Sequence, residues 1–318
     1  MAKLTLERWA LVLAGGDGTR LKSLTRQIVG REMPKQFCPI MGAKSLLEET
    51  LDRLSPVVAA NQTIVSVNQQ HRRYYRRMAQ SGSLHEFVEE PANRGTAPAI
   101  LHALLHLYHR APNATLGIFP SDHYIGDLAR FVTRLDSAFD AARGSEDAVV
   151  LLGADASAPE QAYGWIEADA SGKPSRPDIL RVRRFVEKPN AQLAMELWKS
   201  GAWWNTFIMV GRVSAFLQMY LQKAATLYAN FRAVAAAIGT VCESQALTRL
   251  YEEIEPSCFS TTLLQQCAHG TFVLPMSRVR WCDLGEPQRV MRTIQSLKMS
   301  AGEVTADANG LKHAAYRT

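Results

Sequence analysis

The feature that most constrains this chain is an apolar pentad, Trp9–Leu13, that empties into Gly15, Gly16, Asp17, Gly18, Thr19 and Arg20. Five consecutive apolar residues followed by glycines read as a buried strand that ends in a tight turn. Glycines let backbone N–H groups approach a polyanion closely. Arg20 adds a guanidinium that can fork onto phosphate oxygens, and Lys35, after Pro34, supplies a second cation from a loop. The combination reads as a phosphate cradle. It is not the Walker type, because no Gly-Lys-Ser/Thr follows, and not the dinucleotide type, because Leu21 stands at the third glycine position.

Downstream, apolar strands alternate with amphipathic helices, the pattern of a mostly parallel sheet covered on both faces. Strands are expected at Trp9–Leu13, Thr63–Val67, Phe87–Glu89, Leu116–Phe119 and Ala148–Leu152, with helices at Ser45–Leu54, Gln69–Ala79, Thr96–His109 and Leu128–Ala142. After Gly153 the pattern changes. Trp165–Ala168 and Arg181–Glu187 alternate and flank the polar segment DASGKPSRP, which suggests an antiparallel pair with a long hairpin loop. A helix at Leu193–Lys199, a strand at Thr206–Val210, an alanine-rich helix over Val213–Val241 and a last strand at Phe272–Leu274 follow. Residues beyond about Ser300 read as a mobile tail.

The chain has 318 residues, of which 47% are hydrophobic, and no apolar run approaches a membrane span. Glu7 and Arg8 precede the first apolar run, so it is expected to be a strand rather than a leader. Five cysteines, with no Cys-x-x-Cys pair, fit neither a disulfide framework nor a zinc site and suit a reducing cytoplasm. The net charge of +6 is densest at Arg72, Arg73, Arg76 and Arg77. No nucleic-acid motif accompanies this cluster, so it is expected to be a solvated helix face, with no nucleic-acid or membrane partner.

The order LAGGDGTRL, PKQF, EPANRGTAPAI (Glu90–Ile100), FPSDH (Phe119–His123), YGWIE (Tyr163–Glu167), FVEKP (Phe185–Pro189), WNTFIMV (Trp204–Val210) and WCDLG (Trp281–Gly285) resembles the sugar-1-phosphate nucleotidyltransferases, especially the mannose-1-phosphate guanylyltransferases. The resemblance covers about residues 9–290. It implies a Rossmann-like, glycosyltransferase-A-like α/β fold with a mixed, mainly parallel sheet over residues 1–300. A nucleotide-binding part would span about 1–152 and a sugar-phosphate-binding part about 153–300, with a tail from 301 to 318. It also implies attack by a sugar-1-phosphate oxygen on the α-phosphorus of a nucleoside triphosphate. Such transfer needs alignment and charge neutralisation more than covalent chemistry.

The same resemblance assigns roles. Leu13, Ala14, Gly15, Gly16, Gly18, Thr19 and Arg20 would bind nucleotide, with Arg94, Gly95 and Thr96 at the base. Arg20 and Lys35 would face the triphosphate, and Lys188 the sugar phosphate. Gly164, Glu187 and Asn205 would line the sugar. Asp122 and Asp283 would hold Mg²⁺, a hard cation that takes one or two carboxylates plus phosphate oxygens and waters. The implied reaction is GTP plus mannose-1-phosphate giving GDP-mannose and pyrophosphate. Another nucleotide or sugar phosphate, or a non-catalytic nucleotide-sugar-binding regulator, are the alternatives. Oligomeric state is not readable, and the hexapeptide repeat that often follows in the family does not occur in these residues.

Departures from the pattern fall mainly in the sugar half. Ala162 replaces a glycine before Tyr163, Cys258–Thr262 lacks an expected acid, and Phe207 stands where the pattern has glycine. Because Phe207–Val210 continues as an apolar strand, the Phe207 ring is expected to turn into the core.

Overall fold

The computed structural model describes residues 7–80, 84–169, 178–266 and 270–300. The tail expected beyond Ser300 and most of the DASGKPSRP loop lie outside the described residues. The strands are β1 (Arg8–Leu13), β2 (Thr63–Asn68), β3 (Glu86–Glu90), β4 (Thr115–Pro120), β5 (Tyr124–Ile125), β6 (Val149–Ala154), β7 (Gly164–Ala168), β8 (Leu180–Glu187), β9 (Trp203–Arg212), β10 (Thr271–Pro275) and β11 (Trp281–Cys282).

Nine of them form one sheet in the order β3-β2-β1-β4-β9-β6-β10-β8-β7. Pairing is parallel through β3, β2, β1 and β4 and between β6 and β10. It is antiparallel at β4–β9, β9–β6, β10–β8 and β8–β7. β7 also pairs with β9, so β9, β6, β10, β8 and β7 close into a barrel-like ring. The sheet is therefore mixed, as expected, but mainly parallel only in its first half. β9 runs against all three of its partners, and the β7–β8 hairpin turns the far edge back on itself.

β1 shows why its sequence lacks a polar alternation. Ala10 and Val12 enter a core on one face of the sheet, and Trp9 and Leu11 enter a second core on the other. Both faces are covered, so every position from Trp9 to Leu13 is apolar. Full burial of each large side chain contributes about 1.5–3 kcal/mol.

The long helix expected over Val213–Val241 is instead three: Val213–Lys223, Ala225–Asn230 and Arg232–Ala237. The breaks fall at Ala224 and Phe231. Phe231 is buried and packs edge-on against Tyr251. Tertiary packing of one ring here overrides the helix propensity of the alanines around it. Among the described residues no helix is long and apolar enough to cross a membrane.

Candidate active site

The site forms at the carboxyl ends of β1 and β4, the edge where open α/β sheets place their ligands. The Ser121 hydroxyl donates to the Leu13 carbonyl at 2.6 Å, as does the Ser121 N–H at 3.2 Å. The glycine loop and Asp122 therefore leave the sheet side by side. The buried Gln36 amide donates to the carbonyls of Ala14 (2.8 Å) and Gly16 (2.7 Å) and holds that loop in place. Gly18 has φ +59°, and a Cβ there would meet the Lys35 backbone nitrogen at 2.8 Å. The glycine is what lets the two loops touch.

Two aspartates far apart in sequence meet through a short ribbon. β5 follows Asp122 and His123, β11 precedes Asp283, and Cys282 pairs with Tyr124 across the two strands. Lys35 completes the junction. Its Nζ lies 3.3 Å from Asp122 Oδ2 and donates to the carbonyls of Asp283 (2.7 Å) and Leu284 (3.2 Å). Asp283 Oδ1 accepts from the Tyr163 hydroxyl (2.9 Å) and the Gly285 N–H (3.0 Å), and Arg289 reaches both carboxylate oxygens at 3.0 Å. Burial pushes the Asp283 carboxyl up, but His123, Arg289 and the Gly285 N–H outweigh it and hold it below its ordinary range. Burial also pushes His123 down to about 4, against the pull of Asp122. Its ring packs edge-on to Trp281 at 5.4 Å.

On the far side, Gly164 pairs with Glu187 across β7 and β8. A Cβ on Gly164 would come within 2.7 Å of Glu187 Oε2 and 3.2 Å of Asn205 Cβ, so only a bare backbone fits between them. Burial raises the Glu187 pKa, countered by Lys188 and a hydrogen bond from Ser260. The Lys188 side chain is 68% exposed, with Nζ 4.0 Å from Glu187 Oε1. Phe207 has φ +60° and is half-buried, its ring 6.3 Å from that of Phe259. It packs against the core from the cavity wall rather than turning wholly into the core.

The loop after β3 closes the third side. Glu90 is 3% exposed, accepts the Tyr251 hydroxyl at 2.6 Å on Oε1, and is pushed up to about 8 by burial. The Arg94 Nε donates to the Tyr251 carbonyl at 2.7 Å. Thr96 opens the helix Thr96–Arg110 but does not cap it; its hydroxyl accepts the Phe259 N–H at 2.8 Å. Asn93 donates to Asp17 at 2.8 Å, bridging this loop to the glycine loop.

These elements enclose two adjoining cavities. The larger, about 490 Å³, is lined by Leu13, Gly15, Gly16, Glu90, Gly95, Thr96, Gly164, Glu187, Asn205 and Phe207 among others. The smaller, about 390 Å³, is lined by Gly18, Thr19, Arg20 and Lys35. Asn93, Asp122, His123 and Asp283 line both and mark their junction. Nearly all the residues singled out from the sequence therefore converge. Ala14, Arg94 and Lys188 are not in either lining: Ala14 is buried beneath the loop, Arg94 serves the Tyr251 helix, and Lys188 lies in solvent. At the junction, Asp122 and Asp283 are the carboxylates able to hold a hard divalent cation. Sequence reasoning missed Gln36, Tyr163 and Arg289 as supports and Glu90 as a cavity group. Arg289 carried no local signal, since only the fold brings it onto Asp283.

The chain is similar over most of its length to known proteins. The family model described as Nucleotidyl transferase matches residues 9–299. The xanthan biosynthesis protein XanB of Xanthomonas campestris is 36% identical over 211 residues, covering 65% of this chain and 43% of that protein. Mannose-1-phosphate guanylyltransferase RfbM of Salmonella typhimurium is 29% identical over 284 residues, covering 86% of this chain and 56% of that protein. The chain thus spans about half the length of these relatives. A crystal structure from Thermus thermophilus, described as a mannose-1-phosphate geranyltransferase, superposes with a TM-score of 0.75 at 28% identity, covering 88% of this chain and 77% of the other.

Proposed function

The chain belongs to the nucleotidyl transferase family, and from that premise we propose that it transfers the nucleotidyl group of a nucleoside triphosphate to a hexose-1-phosphate and releases pyrophosphate, with GTP and mannose-1-phosphate as the pair. The observation that carries this reading is the junction of the two cavities. A cationic, glycine-lined cavity meets a larger one with a carboxylate and an amide on its wall, and Asp122 and Asp283 stand where they meet.

In this account the residues up to about 152 bind the nucleotide and those from about 153 to 300 bind the sugar phosphate. The glycine-loop N–H groups, Arg20 and Lys35 neutralise the triphosphate. Gly164, Glu187 and Asn205 orient the hexose, and Lys188 swings in from solvent onto its phosphate. A sugar-phosphate oxygen then bonds to the α-phosphorus while the bond from that phosphorus to the β-phosphate bridging oxygen breaks. Pyrophosphate leaves with the electron pair. The donor set at Asp122 and Asp283 is all oxygen and suits Mg²⁺, which when bound would neutralise charge on the reacting phosphates. Tyr163 and Arg289 fix the Asp283 carboxylate, and Lys35 fixes the loops that carry both aspartates.

Glu90 favours guanine. An ionised carboxylate only accepts hydrogen bonds, and of the common bases only guanine offers two adjacent donors, N1–H and N2–H₂, on its pairing edge. Adenine and cytosine present a donor beside an acceptor, and uracil a single donor. Exchanging Glu90 for Gln tests this assignment: Glu90→Gln should weaken GTP far more than ATP or UTP. An unchanged base ranking would remove guanine from the account and leave nucleotidyl transfer standing.

A further inference from the structure

Further along the helix that starts at the cavity wall, two helices bring three metal-ligating side chains together. His102 and His106 lie one turn apart on the helix Thr96–Arg110, and Glu243 opens the helix Glu243–Glu253. His106 Nε2 is 3.2 Å from His102 Nε2 and 2.8 Å from Glu243 Oε1. All three ligand atoms lie within 4.8 Å of one another.

Hydrogen bonding alone serves this arrangement poorly. An imidazole nitrogen has one in-plane position, holding either a proton or a lone pair. His106 Nε2 faces two partners with it. If it carries a proton for Glu243, that proton must be shared with His102; if it carries a lone pair, the lone pair faces the carboxylate. His102 is 1% exposed, and its Nδ1 is buried without a hydrogen-bond partner among the described residues, so nothing there selects its tautomer. A cation between the three atoms resolves the conflict, because all three then point lone pairs at one centre.

We propose that His102, His106 and Glu243 form a binding site for a divalent transition ion of the zinc type, separate from the cavity at Asp122 and Asp283. The ligand set, two imidazole nitrogens and one carboxylate oxygen, is that of open zinc sites. With metal–nitrogen distances of about 2.1 Å, tetrahedral ligands stand about 3.4 Å apart; the two imidazole nitrogens are 3.2 Å apart, and His106 and Glu243 would separate slightly from 2.8 Å to admit the ion. Glu243 is held from behind, since its other oxygen accepts the Gly239 N–H at 2.8 Å. His106 and Glu243 retain partial exposure, 16% and 23% at their side chains, which leaves a path for the ion and a position for water. The bound ion would pin the helix that carries Tyr251, the partner of Glu90, to the helix that starts at the cavity wall.

The test is a titration of the full chain with Zn²⁺ alone, after chelator treatment and in excess Mg²⁺ to occupy the aspartate junction. The parent should take up one equivalent tightly and melt at a higher temperature when loaded. His106→Gln and Glu243→Gln, both at partly exposed positions, should lose on the order of a hundredfold in affinity and the thermal gain, while their Mg²⁺-supported turnover persists. Cys242→Ser, an exposed thiol beside Glu243, should bind as the parent does. Absence of tight uptake by the parent, or parental affinity in either His106→Gln or Glu243→Gln, would overturn the site without touching the proposed reaction.

Discussion

The Lys35 ammonium sits 3.3 Å from the Asp122 carboxylate, and the same ammonium donates to the Asp283 and Leu284 carbonyls. Lys35 is 8% exposed, so it braces the protein from within, beside its proposed role toward a triphosphate. Lys35→Ala should therefore do more than weaken nucleotide binding. We expect a loss of roughly 1–3 kcal/mol in stability, less than a fully buried pair would cost because Asp122 is partly exposed, together with impaired use of both substrates. Lys188→Ala, at a solvated side chain, should leave stability and GTP binding intact and weaken only the sugar phosphate. Calorimetry with each ligand alone separates the two. Equal defects in both variants would contradict this division.

Asp122→Asn and Asp283→Asn should each lower turnover on the order of a hundredfold or more, because each weakens the hold on the cation that would neutralise the reacting phosphates. Asparagine preserves shape but leaves Lys35 or Arg289 facing a neutral amide, so melting temperatures should fall by an amount comparable with Lys35→Ala while the fold persists. Steady-state rates across Mg²⁺ concentrations make the check; parental turnover in either variant would count against both aspartates.

With Glu90 reading the base as proposed, base recognition should depend on pH. Burial pushes its carboxyl from an ordinary 4.5 to about 8, with the hydroxyl of Tyr251 hydrogen-bonded to it and that of Tyr220 close by. Below pH 8 the free protein holds a proton that guanine binding must release. GTP affinity should therefore rise by up to about tenfold per pH unit between 6 and 8, and Glu90→Gln should flatten that slope. The difference between parent and variant cancels the titration of GTP itself. The stability sign is opposite. A folded pKa above the unfolded one makes the Glu90 contribution complete in acid, below about 4.5, and it is lost as pH rises through about 8.

Phe207→Gly should widen the sugar side. The residue holds φ +60°, a conformation that costs a side-chain-bearing residue roughly 1–2 kcal/mol. Glycine relieves that strain and forfeits a half-buried ring, so the net change in melting temperature should be small. Sugar-1-phosphate acceptance should broaden. A large drop in melting temperature with an unchanged sugar ranking would restore the core role expected from the apolar strand.

Much of this was legible in the sequence because the relevant signals are local. The strand into Gly15–Gly18, Asp122 after a strand end, and Glu187 beside Lys188 each lie within one short segment. What was not legible is what the fold assembles. The β5–β11 ribbon that joins Asp122 to Asp283 is too short to announce itself by alternation, and β9 reads as any apolar strand until its antiparallel neighbours are known. Glu90 looked like the first residue of a loop, and only Tyr251, on a distant helix, turns it into a buried carboxylate. Arg94 and Thr96 stand out in the same loop by position alone, whereas their partners, the Tyr251 carbonyl and the Phe259 N–H, lie far away in the sequence.

The central claim rests on pyrophosphate release by the purified chain, measured across a matrix of nucleoside triphosphates and sugar-1-phosphates with and without Mg²⁺. The account predicts release that requires both substrates and Mg²⁺, is fastest with GTP and mannose-1-phosphate, and is lost in Asp283→Asn. No release with any pair, or release indifferent to the loss of Asp283, would contradict it.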